Sequence, residues 1–319
     1  MGLRREDQMS NSEPTGVALD NTDSAEAVIA TVGYADVFDM PIELHHLHRY
    51  LVGSKLTEDQ TSSTVDALVQ GGWLGRRGDV IHLPGREAVL DIYDDRTARS
   101  MTMWDQAQVW GRRIGRLPFV RMVAVTGGLA VDSVAPHDDI DYFIIVRPGR
   151  LWTTRLMIIA LGKLADRHDI ELCPNFIVST NAMDMDVRTV YVARELAQMV
   201  VIVGDDLCQE VRERNSWMFE FLPNATVAGD QTRLTNVRTN PAQALAERLL
   251  LLPVFQRFED WERKRKIAKL TTVRSRRPEV GAPDESSFSP EICKGHMVSN
   301  SAGIDLAWKE RLDGHGRFS

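Results

Sequence analysis

The chain lacks a cysteine framework. Its three cysteines, Cys173, Cys208 and Cys293, are odd in number and widely spaced. That excludes a disulfide scaffold and the paired spacing of a zinc site. Long apolar runs are missing too. The longest apolar stretches are broken by Arg155 and Lys163, or are as short as Leu249 to Leu252. None reaches the roughly 20 residues of a membrane span. The start, MGLRREDQMSNSEPTG, carries charge with no apolar core behind it, unlike a secretory signal. Nor is there a cationic excess. A formal net charge of -7 argues against charge-driven nucleic-acid binding by the whole chain. These absences predict a cytoplasmic protein with reduced thiols and no membrane partner.

What is present is ordinary for a folded protein. Hydrophobic residues make up 43% of the 319 positions, enough for two or three domains with a sizeable core. The chemistry concentrates at residues 121–146, RMVAVTGGLAVDSVAPHDDIDYFIIV. Arg121 to Val125 reads as a strand that ends in Thr126-Gly127-Gly128. Two glycines let the backbone turn sharply and approach a ligand closely. Leu129 to Ala135 is long enough for about two helical turns, which Pro136 would stop. Asp139-Ile140-Asp141 then leads into a buried strand, Tyr142 to Val146.

Side chains alternate along a strand, so Asp139 and Asp141 share one face and Ile140 and Tyr142 the other. The two aspartates lie about 7 Å apart at Cα. Their carboxylates can converge on metal ions held about 3.5–4 Å apart. A glycine turn at a helix start offers backbone N–H groups to phosphate. The competing reading of Asp-x-Asp is a solvated turn. Asp138 reads as solvating or capping, and Asp132 as a surface residue.

Gly127-Gly128, ten intervening residues, Asp139-Ile140-Asp141 and an apolar strand together resemble the signature of the DNA polymerase beta-like nucleotidyltransferase superfamily. The wider stretch, through ELCPNF and ARELAQMV, is similar to a bacterial branch with an N-terminal winged helix. The resemblance covers residues 116–204. It implies an α+β fold in which a small mixed sheet with flanking helices forms the nucleotidyltransferase core. It also implies that Asp139 and Asp141 hold Mg²⁺, with Mn²⁺ as a substitute, and that Gly127 and Gly128 bind the β- and γ-phosphates, beside Thr126. Members of the superfamily carry a third carboxylate on a later strand. Here that strand is ELCPNFIVS. It offers Glu171 at its start and Asn175 inside, with no central aspartate.

The rest of the chain divides around this core. Residues 1–22 are polar and read as a disordered tail. Residues 23–98 read as a winged-helix unit. Thr57 to Gln60 form a capping-box pattern, and Arg76 to Asp79 form a hairpin tip. The presumed recognition helix, TEDQTSSTVDALVQ, contains no Lys or Arg, which disfavours DNA and favours a structural or protein-contact module. His45 and His48 share a helix face but have no clear ligand set around them. Residues 99–115 form a connecting helix. Arg112, Arg113, Arg116 and Arg121 crowd the approach to the core and read as a solvated helix end.

After the aspartate strand, Arg150 and Arg155 are candidates to approach a triphosphate. Residues 188–204 read as a strand or turn entering an apolar helix. There Arg194, Glu195 and Gln198 form a polar neighbourhood, read either as local pairing or as acceptor contact. Residues 205–277 are expected to be helical, with a flexible segment near 225–240, a break or kink at Pro253, and a basic end suited to solvent or to RNA. Residues 278–319 read as a C-terminal tail, in which Lys294 and His296 are candidates for phosphate contact and acid–base work.

The expected function is transfer of a nucleoside monophosphate from a nucleoside triphosphate to an acceptor hydroxyl. The acceptor is a small molecule, an RNA end or a protein. Asp139, Asp141 and Glu171 would be catalytic, and Thr126, Gly127, Gly128, Arg150 and Lys294 would bind nucleotide. The alternatives are a nucleotide-binding or scaffolding protein of the same fold without turnover, and a winged-helix DNA-binding regulator.

Overall fold

The computed structural model describes residues 22–225, 241–275, 287–295 and 300–314. Of the tail expected at 1–22, residues 1–21 lie outside the described residues, as do the segment 226–240 and His296, while Thr22 already belongs to a helix. The fold is mixed α+β with an open mixed sheet.

The N-terminal unit holds α1 (Thr22–Asp36), β1 (Ile42–Glu43), α2 (Leu44–Arg49), α3 (Glu58–Gln70), β2 (Gly75–Arg77) and β3 (Val80–His82). Thr57 caps α3 through the expected reciprocal pair with Gln60. The three strands pair antiparallel in the order β1-β3-β2. Val28, Leu47, Leu68 and Ile81 fill a core of their own. The unit is tied to the rest of the chain by hydrogen bonds. Gly53 N–H donates to the Phe221 carbonyl at 2.8 Å, and Asn224 Nδ2 donates to the carbonyls of His48 and Leu56.

The long α4 (Val89–Gly115) leads into β4 (Val120–Val125), β5 (Ile140–Val146), α5 (Leu151–Ala165), β6 (Leu172–Ser179), α6 (Val190–Gln198), β7 (Val200–Val203), α7 (Asp205–Arg214) and α8 (Met218–Phe221). Then come α9 (Pro241–Leu250), α10 (Pro253–Ser275), β8 (Ser287–Phe288), β9 (Ile292–Lys294) and α11 (Asn300–Gly314). The larger sheet runs β7-β4-β5-β6-β9-β8. Among the described residues only β5 and β6 pair in parallel.

Alternation along the strands sorts the core into two layers. Val123, Tyr142 and Ile144 pack with Trp104 and Ile114 of α4 and Trp152 of α5. Met122, Phe143 and Ile145 pack with Leu196 of α6, Val211 of α7 and Met218 of α8. Asp141 has the parity of Phe143, so it starts its strand on the α6 side.

Two expectations change, and a third narrows to one of its alternatives. The run VVIV at 200–203 is not the end of an apolar helix; it is strand β7, beside β4. Four β-branched residues in a row favour the strand. Of the break or kink expected at Pro253, the break is what forms, between α9 and α10. The C-terminal stretch is not only a tail. Its β9 pairs with β6, and α11 docks on α1 through Trp308, whose indole N–H donates to the Ala30 carbonyl at 2.8 Å.

Candidate active site

Strand β4 ends at a turn pressed against β5. Thr126 N–H donates to the Asp141 carbonyl at 3.0 Å. Gly127 follows with φ +66°, and a Cβ there would sit 2.6 Å from Asp141 Oδ2. At Gly128 a Cβ would sit 2.5 Å from the Ser133 carbonyl oxygen. Both positions therefore require glycine, the first for torsion and the second for close approach. The helix expected over 129–135 is one 3-10 turn, Gly127–Val131. Asp132, in the left-handed region, ends it before Pro136 is reached. Asp132 is also more than a surface residue, since its Oδ1 accepts from the Trp104 indole at 2.6 Å. Asp138 does cap its loop, accepting from Ala135 N–H at 2.7 Å.

Asp139 and Asp141 come together with Cys173. One ligand atom from each lies within 4.8 Å of the other two. Burial, and then the charge of Asp139, pushes the Asp141 carboxyl up to about 7, against a hydrogen bond from the Cys173 thiol. Burial, with both aspartates beside it, also pushes the Cys173 thiol up. The parallel register pairs Asp141 with Cys173. Beyond that point, the single residue between Asp141 and Phe143 on β5 stands against two between Cys173 and Phe176 on β6. This irregularity breaks simple alternation along β6. Asn175 lies within it and lines a cavity beside Thr126.

Glu171 is not in this group. It precedes β6, its side chain is exposed, and its carbonyl accepts the Ile140 N–H at 2.9 Å. The acid that reaches the site comes instead from α6. Burial pushes the Glu195 carboxyl up to about 7, against a hydrogen bond from Gly127 N–H and the fields of Arg194 and Lys294. Gln198 Nε2 donates to Glu195 Oε1 at 2.7 Å. Gly127 N–H is thus engaged by a carboxylate within the protein. The available signal in the sequence was a polar trio, Arg194, Glu195 and Gln198, at helical spacing inside an apolar helix.

Lys294 lies on β9 opposite Phe176. It lines the same cavity of about 180 Å³ as Thr126, Asn175 and Glu195, with Phe143 and Phe176 among its apolar walls. A second cavity, of about 310 Å³, opens on the other side of the glycine turn. Gly127, Gly128 and Arg194 line it, and Glu195 borders both cavities.

Arg150 is placed elsewhere. It follows the far end of β5, is buried over the Phe119 ring, and donates to the Phe255 carbonyl at 3.5 Å. The helix α10 covers it, so it does not approach the aspartates. In the N-terminal unit, Glu43, His45 and His46 form the second group of possible metal ligands among the described residues. His48 turns away from it to the Leu56 carbonyl.

The donor set suits a hard cation in part. Mg²⁺ is commonly held by one or two carboxylates together with substrate phosphates, which Asp139 and Asp141 can supply. A thiol is a soft ligand, so Cys173 would border such an ion rather than complete its shell. Compared with protein-family models, curated proteins and solved structures, the chain finds no match.

Proposed function

We propose that the chain is a Mg²⁺-dependent nucleotidyltransferase, with Mn²⁺ as a substitute ion. The observation that carries this reading is the fit of the glycine turn over Asp141, which leaves no room for a Cβ at Gly127. A phosphate cradle and a two-carboxylate metal site then share one wall. The resemblance of this stretch to the polymerase beta-like superfamily supports the same chemistry.

The acceptor hydroxyl attacks the α-phosphorus of a nucleoside triphosphate, and pyrophosphate leaves. Asp139 and Asp141 hold the metal. A bound Mg²⁺ would polarise the phosphate and offset charge on the leaving group. Gly128, Thr126 and Lys294 receive the nucleotide. Glu195 takes the proton from the acceptor hydroxyl. A carboxyl near pH 7 suits a general base at that pH. Glu195 thereby takes the role first expected of Glu171. The acceptor is a small molecule, an RNA end or a protein hydroxyl.

The order of elements in the N-terminal unit suits a winged helix used for protein contact. DNA is disfavoured. Helix α3 has no Lys or Arg, and the hairpin arginines Arg76 and Arg77 are spent on Asp66, Asp79 and Asp94. The three free cysteines suit the cytoplasm, and no helix among the described residues is long and apolar enough to cross a membrane.

A second reading is a nucleotide-binding protein without turnover. Its support is Cys173, which stands opposite Asp141 where a carboxylate would complete the metal site. Incubating the protein with each labelled nucleoside triphosphate, Mg²⁺ or Mn²⁺ and a cell extract separates the two. A labelled acceptor is expected. Nucleotide binding with no label transferred from any of them would favour the second reading.

A further inference from the structure

Arg194 is 3% exposed, yet its Nε and Nη1 have no hydrogen-bond partner. A guanidinium does not give up its proton in a protein, so a charge is buried here together with two donor nitrogens that are unmet. The ring of Tyr50 lies 4.5 Å from the guanidinium carbon and that of Tyr34 5.1 Å. Aromatic faces attract the charge but take none of its hydrogen bonds. Arg150, the other arginine buried as deeply among the described residues, donates to a carbonyl.

Arg194 lines the cavity of about 310 Å³. The glycine turn lines that cavity, and so do Tyr34 and Phe38 of the N-terminal unit. A second cation, Arg96, also lines it and spans the gap, donating to the Phe38 carbonyl at 2.9 Å and to Ser133 Oγ at 3.4 Å. The acids on its border are already engaged. Glu195 accepts from Gly127 and Gln198, and Asp138 accepts from Ala135. Among the residues lining this cavity, the buried side-chain atoms left without a hydrogen-bond partner are those of Arg194. Planar guanidinium donors match the oxygens of a phosphate.

We infer that this cavity binds a phosphate group of a substrate through Arg194, and that the N-terminal unit is a wall of the substrate site. The choice of phosphate over other oxyanions rests on the nucleotidyltransferase reading; the presence of an anion site at Arg194 does not. The phosphate belongs either to the triphosphate tail of the donor or to the acceptor.

Calorimetry of the full chain in EDTA, with inorganic phosphate, pyrophosphate and tripolyphosphate, tests this. The wild type binds at least one of them. Arg194→Met weakens that binding by about tenfold or more and melts no lower than wild type, because an apolar side chain replaces donors that were unmet. Arg194→Lys restores part of the affinity. ATP that competes with the bound anion identifies the donor tail; ATP that binds alongside it identifies an acceptor phosphate.

The inference is overturned if no anion binds without metal, if Arg194→Met binds as the wild type does, or if both variants melt well below wild type, which would make Arg194 structural. Repeating the titration with ATP and Mg²⁺ keeps the two ideas apart. Metal-free anion binding through Arg194 without Mg²⁺-dependent nucleotide affinity retains this inference and discards the transferase reading. The reverse result does the opposite.

Discussion

Strand β5 has charge buried at both ends, and the two ends treat it differently. Beyond Val146 the charges are matched. Glu259, 2% exposed, accepts the Trp152 and Thr153 N–H groups at the start of α5, at 2.9 and 2.7 Å. Glu247 accepts from Phe119 N–H and from both arms of Arg121. Burial works against its ionisation, but those hydrogen bonds hold its carboxyl below the usual range. At the Asp141 end the match is incomplete, and burial outweighs the partners that are present. Asp141 and Glu195 are pushed up to about 7, and Arg194 keeps unmet donors. Matched charge holds architecture in place. Charge left at a cost in stability, in a cleft, is what a ligand site looks like.

Removing Glu195 should break the incompletely matched end most visibly. Glu195→Gln keeps shape and loses the base. Transfer should fall by about 10²–10⁴-fold, while calorimetry finds nucleotide affinity little changed. Equal losses in both would make Glu195 a binding group instead.

The matched end should respond in stability. Glu259→Ala strips two N–H groups of their acceptor and should cost roughly 2 kcal/mol. Urea unfolding at an unchanged slope measures it. The protein that remains folded should still bind nucleotide, since α5 starts at the far end of the strand. A loss of nucleotide affinity in that folded protein would mean the two ends are not independent.

Gly127→Ala sharpens the contrast on a smaller scale. Its φ of +66° costs a side chain about 1 kcal/mol. Its Cβ must also displace the Asp141 carboxylate. Mg²⁺-dependent affinity should weaken more than the melting temperature falls. A variant that melts lower with its affinity intact would remove the turn from the site.

The smallest effect is on pH dependence. The folded values of Asp141 and Glu195 lie above their ordinary 3.8 and 4.5. Between those ordinary values and about 7, the folded state therefore holds protons that the unfolded state has lost. Their contribution to stability without metal falls as pH rises through that window and levels off above it. Thermal melts of Glu195→Gln in EDTA should show a flatter slope than wild type. An identical slope would mean that Glu195 is not pushed up.

How much of this was legible in the sequence follows from local rules. The capping box at Thr57, the aspartate parity and the need for glycine at 127 and 128 depend on neighbours a few residues away. Glu195 and Cys173 do not. Their places are set by how α6 crosses the sheet and by the parallel register of β5 with β6, including its extra residue. Alternation alone would put Glu171, Cys173 and Asn175 on one face, and the irregularity after Cys173 breaks that pattern. Arg150 looked like an anion receptor because nothing nearby in sequence accounts for it. The residues that do, Phe119 and Phe255, are distant along the chain.

Calorimetry with ATP and Mg²⁺ on Asp141→Asn tests the transferase reading most directly. Losing groups that merely support a metal ligand costs about 10–100-fold in affinity, so losing the ligand itself should cost at least that. The expected result is metal-dependent nucleotide binding in the wild type and its loss in a variant that melts at or above the wild-type temperature in EDTA. Unchanged Mg²⁺-dependent affinity in folded Asp141→Asn would contradict the site.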